Sequence, residues 1–393
     1  MKLLLFLFAV MAASKAETNE LLKQANQQIT AKLFTEVVKQ HPKESVVLSA
    51  FSVLTPLAQL SLASDGESHD ELLKAIGMPN DDTTKTVFSS LTKDVRSVKG
   101  VELKVASKVY IPTNFELNDQ FLAVTKDVFD SEVQNIDFLK NDDAAKTINT
   151  WVEDHTNNRI KDLVDPSSLD SNTRAVLVNA IYFKGSWKEK FNKNHTQNRK
   201  FYVSKDQSVD IPFMYKKDHF LYGESEELNA QLLQLPYEGD EASFLVVLPR
   251  DVDGLPALEE KLKNPSLLEN AVQNMRSVEV VVYLPKFKIE TTTNLKDALE
   301  NMDVTKIFSS EANLNRLLKG QGDLFVSDAK QKAFIEVNED GAEAAAANVF
   351  VVDRCSPFML ELTPQFIADK PFYFEIRQSD RPLFTGAMKS AVV

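Results

Sequence analysis

RAVLVNAIYFKGSWKEKF, residues 174–191, begins with a nearly continuous apolar run. A run of this kind, rich in β-branched and aromatic side chains, predicts a strand that is covered on both faces. Other strands are predicted by VELKVASKVYI at 101–111, ASFLVVLP at 242–249 and VEVVVYLPKFKIE at 278–290. The sequence therefore indicates a sheet-rich protein with a large buried core.

Helices are predicted mainly in the first part of the chain. Apolar residues recur at helical spacing over residues 18–40 and again in DDAAKTINTWVEDHTNN at 142–158. Helices dominate the first third and strands the last, which indicates an α+β fold rather than a βαβ repeat. No Pro/Gly/Ser-rich linker, internal repeat or low-complexity tract divides the sequence. We therefore expect a single domain over residues 17–393.

The N-terminus, MKLLLFLFAVMAASKA, has the pattern of a secretory signal peptide. Lys2 supplies the basic end, residues 3–10 are apolar, and Ser14 and Ala16 are the small residues that precede a cleavage site. The apolar run is too short to span a bilayer. We expect residues 1–16 to be removed and the remainder to be secreted.

Charge and cysteine content narrow the function further. The net charge of the whole chain is −12, and loss of Lys2 and Lys15 with the signal peptide takes it to −14. An acidic protein has no general attraction for nucleic acid or anionic membrane. The one cysteine, Cys355, cannot form an internal disulfide, so stability must come from the core.

Motifs of catalysis are missing from the sequence. It contains no G-x-S-x-G, H-E-x-x-H or glycine-rich phosphate loop, and its five histidines lie in no metal-ligand pattern. These observations argue against an enzyme and predict neither a metal nor a cofactor. Asn194-His195-Thr196 is an N-glycosylation sequon, which suits a surface loop of a secreted chain.

Five segments, in this order, resemble the serpin family and in particular insect, lepidopteran antitrypsin-like serpins. They are VVLSAFSVLTPLAQLSLASDGES at 46–68, LVNAIYFKGSWKEKF at 177–191, VYLPKFKIETTTNL at 282–295, KAFIEVNEDGAEAAAA at 332–347 and ADKPFYFEIRQSDRPLFTGAM at 368–388. The resemblance implies about nine helices packed on three β-sheets. It also implies an exposed reactive-centre loop at about residues 339–362.

The resemblance also assigns residues to the region where the main sheet opens. Ser49, Ser52 and Asn179 match the polar residues of the serpin shutter, and Trp187 matches the tryptophan at the top of the sheet, the breach. Two residues depart from the family pattern. Ala50 replaces the usual proline between the serines, and Gln331 stands where many serpins have a shutter histidine. Because glutamine can also hydrogen-bond across the shutter, we expect the mechanism to survive.

The stretch before the loop matches the hinge of inhibitory serpins. The hinge residues are Glu339, Gly341, Ala342, Glu343, Ala344, Ala345, Ala346 and Ala347. A strand buries alternate side chains, so a strand that enters the sheet buries Ala342, Ala344 and Ala346 and turns Glu343 outward. The leading buried positions are all methyl-sized, and Gly341 gives the hinge backbone freedom.

Distance from the hinge predicts the bond that a protease would cut. The resemblance places it between Cys355 and Ser356, and a small apolar thiol suits a chymotrypsin-like or elastase-like protease. A cut one residue earlier, between Arg354 and Cys355, would instead predict a trypsin-like target. Both alternatives remain open from the sequence.

The implied activity is suicide inhibition of an extracellular serine protease. The protease attacks the loop, and the cleaved loop then enters the main sheet and traps the covalent acyl-enzyme. A monomer in the haemolymph is the expected form. The rival interpretation is a non-inhibitory serpin that acts as a carrier or chaperone. Such members usually have bulky, charged or proline residues in the hinge, which the alanines here argue against.

Overall fold

The computed structural model describes residues 2–95, 100–320, 322–342 and 363–390, with backbone alone for 2–17, 92–95 and 342. These residues form nine α-helices: α1 (Lys2–Gln40), α2 (Ala50–Ala63), α3 (Gly66–Ala75), α4 (Asp81–Val95), α5 (Asp119–Phe129), α6 (Asn141–His155), α7 (Leu255–Leu262), α8 (Pro265–Gln273) and α9 (Leu295–Glu300). The helix predicted over 18–40 is therefore present and extends back to Lys2. No helix within this part of the chain is long and apolar enough to cross a membrane.

Fifteen strands are present in the same residues. They are β1 (Val46–Leu48), β2 (Val101–Pro112), β3 (Glu132–Ile136), β4 (Ala175–Ser186), β5 (Gln197–Ser204), β6 (Gln207–Ser225), β7 (Ala230–Pro236), β8 (Ala242–Pro249), β9 (Arg276–Pro285), β10 (Phe287–Asn294), β11 (Val326–Val337), β12 (Gly341–Ala342), β13 (Gln365–Ile367), β14 (Phe372–Gln378) and β15 (Arg381–Met388). All four predicted strand segments form strands, and the 278–290 segment divides between β9 and β10 at Lys286.

The strands form two hydrogen-bonded networks. The smaller, which we call the central sheet, has the order β10-β11-β4-β2-β3, with β12 paired to β4. The larger has the order β1-β15-β14-β8-β7-β6-β9-β13, with β5 paired to β6. β6 pairs with β5 and β9 through much of its length and with β7 at its end, so this one long strand joins what the resemblance counts as two separate sheets. The α+β fold and its nine helices agree with expectation.

The centre of the core is α2, of which 13 of 14 residues are buried. It contacts β2 and β4 of the central sheet and β15 of the larger network. The opposite face of the central sheet is covered by α6, whose Ile148 and Val152 join a buried cluster with Val178 and Tyr182 of β4. β4 is therefore covered on both faces, as its apolar run predicted.

Candidate functional site

The central sheet contains a seam between two parallel strands, β4 and β11, which are far apart in the sequence. β11 and β4 pair from Val326 and Ala175 to Phe334 and Tyr182. Beyond Phe334 the described strands continue, but β11 and β4 no longer pair with each other. The seam is thus closed along its lower part and open at its top.

The short strand β12 lies at the open end of the seam. Gly341 and Ala342 pair antiparallel with Ser186 and Gly185 of β4. The chain reaches this position through a tight turn closed by two hydrogen bonds, from Asn338 N to Gly341 O (2.9 Å) and from Gly341 N to Asn338 O (3.2 Å). Two residues of the predicted hinge are therefore already hydrogen-bonded to β4.

Position 341 requires glycine for two reasons, its backbone conformation and the close approach of Gly185. Its φ of +138° is one that side-chain-bearing residues rarely adopt. A Cβ at this position would lie 2.0 Å from the carbonyl oxygen of Gly185. The predicted freedom of Gly341 is therefore used to bring the hinge backbone against β4.

Four neutral polar side chains, here called the shutter cluster, cross the seam at its middle. They are Ser49, Ser52, Asn179 and Gln331, each at most 1% exposed. Asn179 of β4 and Gln331 of β11 are direct partners in the strand register. Ser49 caps the start of α2, and its hydroxyl accepts a hydrogen bond from Ser52 N. The structure therefore brings the four predicted shutter residues together.

Gln331 is the centre of the shutter cluster. Its Nε2 donates to Ser49 O (2.8 Å), to Asn179 Oδ1 (2.8 Å) and, more weakly, to Ser52 Oγ (3.1 Å). Its Oε1 accepts from Ser49 N (3.0 Å). Ser52 Oγ in turn donates to Asn179 Oδ1 (2.6 Å). An amide at this position therefore spans the seam with a hydrogen-bond network that carries no charge.

Trp187 and Phe191 bind backbone carbonyls of the turn between β11 and β12, which we call the hinge turn. The indole Nε1 donates to Asn338 O (2.8 Å), and Trp187 N donates to Asp340 O (3.0 Å). The intervening carbonyl of Glu339 accepts from Phe191 N (3.0 Å). The indole is 3% exposed and stacks on Tyr237 at 4.7 Å. Three consecutive carbonyls of the turn are thus fixed by one rigid aromatic segment.

The side chains of the turn form a second, charged set of contacts, which we call the hinge anchor. Glu339 accepts from Thr196 Oγ1 (2.8 Å) and pairs with Lys286 Nζ (2.9 Å). Asp340 pairs with Lys193 Nζ (2.7 Å). Burial by itself would raise the pKa of Glu339, but the hydrogen bonds from Lys286, from backbone and from Thr196 outweigh it and hold that pKa below its ordinary value.

The segment between α6 and β4 is tied to β11. Lys332 Nζ donates to Lys161 O (2.8 Å) and pairs with Glu290 of β10 (2.9 Å). Phe334 of β11 stacks against Tyr182 of β4, with ring centroids 6.3 Å apart. Separation of the two strands must therefore also break the ring contact between Phe334 and Tyr182.

Sequence reasoning missed several contributors to the site, among them Thr196, Lys193, Lys286 and Lys332. Thr196 was noticed only as the last residue of the sequon, and Lys286 only as part of the segment 282–295. Lys332 is the first residue of the segment 332–347, but the sequence assigns no role to it. Asn194 lies exposed in a short 3₁₀ turn, Lys193–His195, two residues before the hydroxyl that binds Glu339. Glu343 to Ala347, Arg354, Cys355 and Ser356 lie outside the described residues.

Comparison with known proteins shows similarity over almost the whole chain. The family profile described as "Serpin (serine protease inhibitor)" matches residues 24–390. "Antitrypsin" of Bombyx mori is 57% identical over 98% of this chain and 99% of its own length. "Antichymotrypsin-2" of the same organism is 58% identical over 94% and 98%. The crystal structure of Serpin48, described as a highly specific serpin in the insect Tenebrio molitor, superposes with a TM-score of 0.88 and 34% identity, covering 95% of this chain and 99% of that one.

Proposed function

This chain belongs to the serpin family of serine protease inhibitors, and we propose that it is a secreted suicide-substrate inhibitor that traps its protease by strand insertion. The observation that supports this most directly is the position of β12. Gly341 and Ala342 are paired with β4 in the open top of the seam, antiparallel to it. Continued in the same direction, the following residues would enter between β4 and β11.

The chemistry begins as ordinary proteolysis. The active-site serine of the protease attacks the carbonyl carbon of the scissile bond, the amine of the next residue leaves, and an ester joins protease and loop. Water would normally hydrolyse that ester. Insertion removes the ester from its productive geometry before hydrolysis occurs. From Gly341 to Cys355 the inserted strand would be about 46 Å long at roughly 3.3 Å per residue, enough to carry the protease from one pole of the domain to the other.

The shutter cluster and the hinge anchor have different parts in this proposal. The inserting strand must pass between Asn179 and Gln331, so the hydrogen bond that joins them breaks and its groups find partners on the new strand. The anchor at Glu339 and Asp340 lies in the turn from which the strand starts and need not break. We infer that the shutter sets the barrier to insertion and that the anchor sets its starting register.

The target depends on which bond is cut. Cys355-Ser356 gives a chymotrypsin-like or elastase-like preference, because the thiol is small and apolar. Arg354-Cys355 gives a trypsin-like one. The names of the two Bombyx relatives, which are 57% and 58% identical to this chain, point to different proteases, so overall likeness favours neither bond. The spacing from Gly341 favours Cys355-Ser356.

Two measurements test the proposal. Incubation with pancreatic trypsin, chymotrypsin or elastase should give an SDS-resistant covalent complex with at least one of them. Clean loop cleavage without any complex would instead support the non-inhibitory carrier or chaperone. Mass spectrometry of the released C-terminal fragment then fixes the bond, since the fragment begins at Ser356 for the favoured cut and at Cys355 for the other.

Secretion and modification complete the proposal. We infer cleavage after Ala16, a monomer in the haemolymph, and a glycan on Asn194, whose exposed position is compatible with modification. Edman sequencing of the secreted protein should start at Glu17, and treatment with an N-glycosidase should lower its mass at one site. A different N-terminal residue would contradict cleavage after Ala16, and an unchanged mass would contradict a glycan on Asn194.

A further inference from the structure

The hinge turn contains one of the three Asp-Gly pairs of the chain. They are Asp65-Gly66, Asp253-Gly254 and Asp340-Gly341. When glycine follows an aspartate, its backbone nitrogen can attack the side-chain carbon of that aspartate, because glycine has no side chain to shield the nitrogen. The pair at 340–341 lies at the start of the strand that is proposed to insert. A chemical change there would act directly on the hinge.

The reaction rearranges the backbone and leaves the mass unchanged. Gly341 N bonds to Cγ of Asp340, and one carboxylate oxygen leaves as water with the amide proton and one proton from solvent. The product is a five-membered succinimide ring, and water then adds to one of its two carbonyl carbons. Opening at Cγ restores aspartate. Opening at the backbone carbonyl carbon gives isoaspartate, in which the main chain runs through Cγ.

The contacts of this pair oppose ring closure in the folded protein. Asp340 Oδ2 pairs with Lys193 Nζ (2.7 Å) and Oδ1 lies 3.6 Å from Lys190 Nζ, so each carboxylate oxygen has a lysine of its own. Gly341 N donates to Asn338 O (3.2 Å). The succinimide nitrogen has no hydrogen and the ring has lost one carboxylate oxygen. Ring closure therefore breaks this hydrogen bond and at least one of the ion pairs.

Asp253-Gly254 provides a comparison within the same molecule. Its glycine nitrogen also donates to the carbonyl of the residue three positions earlier, Asp251 (3.1 Å). The Asp253 side chain pairs with Lys205 (3.0 Å) and is 49% exposed, whereas the Asp340 side chain is 9% exposed. The two sites therefore share a hydrogen bond at glycine and differ in the burial and ion pairs of the carboxylate.

We propose that Asp340-Gly341 is a site of isoaspartate formation, and that Lys193 and Lys190 restrain the reaction while the hinge turn is folded. Isoaspartate adds one methylene to the main chain just before β12. β12 would then lose its register with β4, because strand pairing depends on the regular spacing of backbone groups. The consequence for activity rests on the proposed function: a modified hinge would start the inserting strand out of register, and the protein would become a substrate.

Ageing of the purified protein at physiological temperature and pH tests the site chemically. Electron-transfer fragmentation of peptides, which distinguishes isoaspartate from aspartate, compares the wild type with Lys193→Ala and with the matched control Lys188→Ala. Lys188 is 48% exposed against 54% for Lys193, and it pairs with Asp240 (2.7 Å). We expect isoaspartate at residue 340 to accumulate about fivefold faster in Lys193→Ala, the factor that an ion pair of about 1 kcal/mol supplies. Lys188→Ala should match the wild type, and residue 253 should change at one rate in all three proteins.

A parallel experiment in urea checks that the restraint comes from the fold. Residues 253 and 340 of the wild type should form isoaspartate at similar rates when unfolded, and residue 340 should be the slower of the two when folded. Equal accumulation at residue 340 in folded wild type and Lys193→Ala would overturn the restraint by Lys193. If residue 340 of aged Lys193→Ala contains no isoaspartate, the site itself is overturned.

Titration of protease with the aged samples tests the consequence for the hinge. The stoichiometry of inhibition by Lys193→Ala should rise with its isoaspartate content. Asp340→Glu keeps the charge but cannot close a five-membered ring, so it should hold its own initial stoichiometry throughout ageing. Failure of fresh protein to form a covalent complex would contradict the proposed function and leave the chemical result intact. Undiminished trapping by a sample rich in isoaspartate would contradict the effect on the hinge.

Discussion

The shutter cluster and the hinge anchor both hold β11, or the turn that follows it, to neighbouring segments of the chain. They do so with opposite chemistry. The shutter cluster joins four neutral side chains that are almost fully buried. The hinge anchor joins two carboxylates to lysines that remain half exposed, with Lys286 at 34% and Lys193 at 54%. One is shielded from solvent, and the other is accessible to protons and salt.

This difference fits what each region must do when a strand enters the sheet. Neighbouring strands lie about 4.8 Å apart, so a new strand between Asn179 and Gln331 would roughly double their separation. Neutral groups can exchange partners there without leaving an unpaired buried charge, which would cost several kcal/mol. The anchor lies at the turn, so in the proposed insertion it would keep its partners, and charge there would stabilise the hinge without opposing insertion.

The largest expected effect comes from a variant that leaves both regions intact and blocks the strand that would enter between β4 and β11. Ala342→Arg places a large cation at the first position predicted to be buried on insertion. Insertion should then lose to hydrolysis of the acyl-enzyme, so the protein becomes a substrate. Titration of protease activity would show the stoichiometry of inhibition rising at least about tenfold, as expected when a buried charge opposes the step.

The matched control for that variant is Glu343→Arg. Alternation along a strand turns residue 343 outward, so an arginine there should leave the stoichiometry nearly unchanged. An equal loss in both variants would mean that the hinge does not insert in the predicted register.

Disruption of the shutter cluster should have the next largest effect. Gln331→Ala removes the bridge across the seam and leaves Ser49 N, Ser49 O and Asn179 Oδ1 short of partners in a buried site. Lost hydrogen bonds and the resulting void should together lower the free energy of unfolding by about 3 kcal/mol. Chemical denaturation would measure it, and the loss should be the same at pH 4 and pH 7 because the cluster has no titratable member.

Gln331→His tests the same region by giving it a titratable group. An imidazole can bridge the seam when neutral, but protonation buries a charge among neutral groups. Stability relative to the wild type should therefore fall as the pH drops through about 6.5, the ordinary histidine pKa. A pH-independent difference between the two proteins would show that the site is not closed to solvent as the structure has it.

Particular residues show how far the sequence could predict these regions. The apolar runs of β4 and β8 reveal buried strands because hydrophobic periodicity is a property of neighbouring residues. Ser49, Ser52, Asn179 and Gln331 could be expected together only through family resemblance, since they lie on three distant segments. Lys286 and Glu339 are 53 positions apart, and no local pattern pairs them. The position of β12 beside β4 could not be predicted either, because the carbonyl of Gly185 approaches the hinge only in the folded sheet.

Acid should weaken the hinge anchor and leave the shutter cluster unaffected. The pKa of Glu339 lies below its ordinary value of 4.5, so the stability it contributes is complete above about pH 4.5 and is lost as the pH falls through its lowered pKa. Glu339→Gln should be about 1–2 kcal/mol less stable than the wild type at pH 7, as expected for a lost charge-assisted hydrogen bond. That difference should shrink as the pH falls below about 4.5 and through the lowered pKa of Glu339.

Thermal unfolding of the two proteins across this range would measure the effect. The other carboxylates of the chain titrate in both proteins, so the difference isolates Glu339. A gap that stays constant down to the lowest pH at which both proteins remain folded would mean that the Glu339 carboxylate contributes packing rather than charge.

The smallest expected effect separates the anchor from the glycan proposed beside it. Thr196→Ala and Asn194→Gln both destroy the sequon, but only the first removes the hydroxyl that donates to Glu339. Thr196→Ala should therefore unfold with a free energy about 1 kcal/mol lower than Asn194→Gln, the usual contribution of one hydrogen bond. Since neither variant can carry a glycan at Asn194, chemical denaturation of the two proteins compares the hydroxyl alone. Equal stability would remove Thr196 from the anchor and leave Lys286 as the side-chain partner of Glu339.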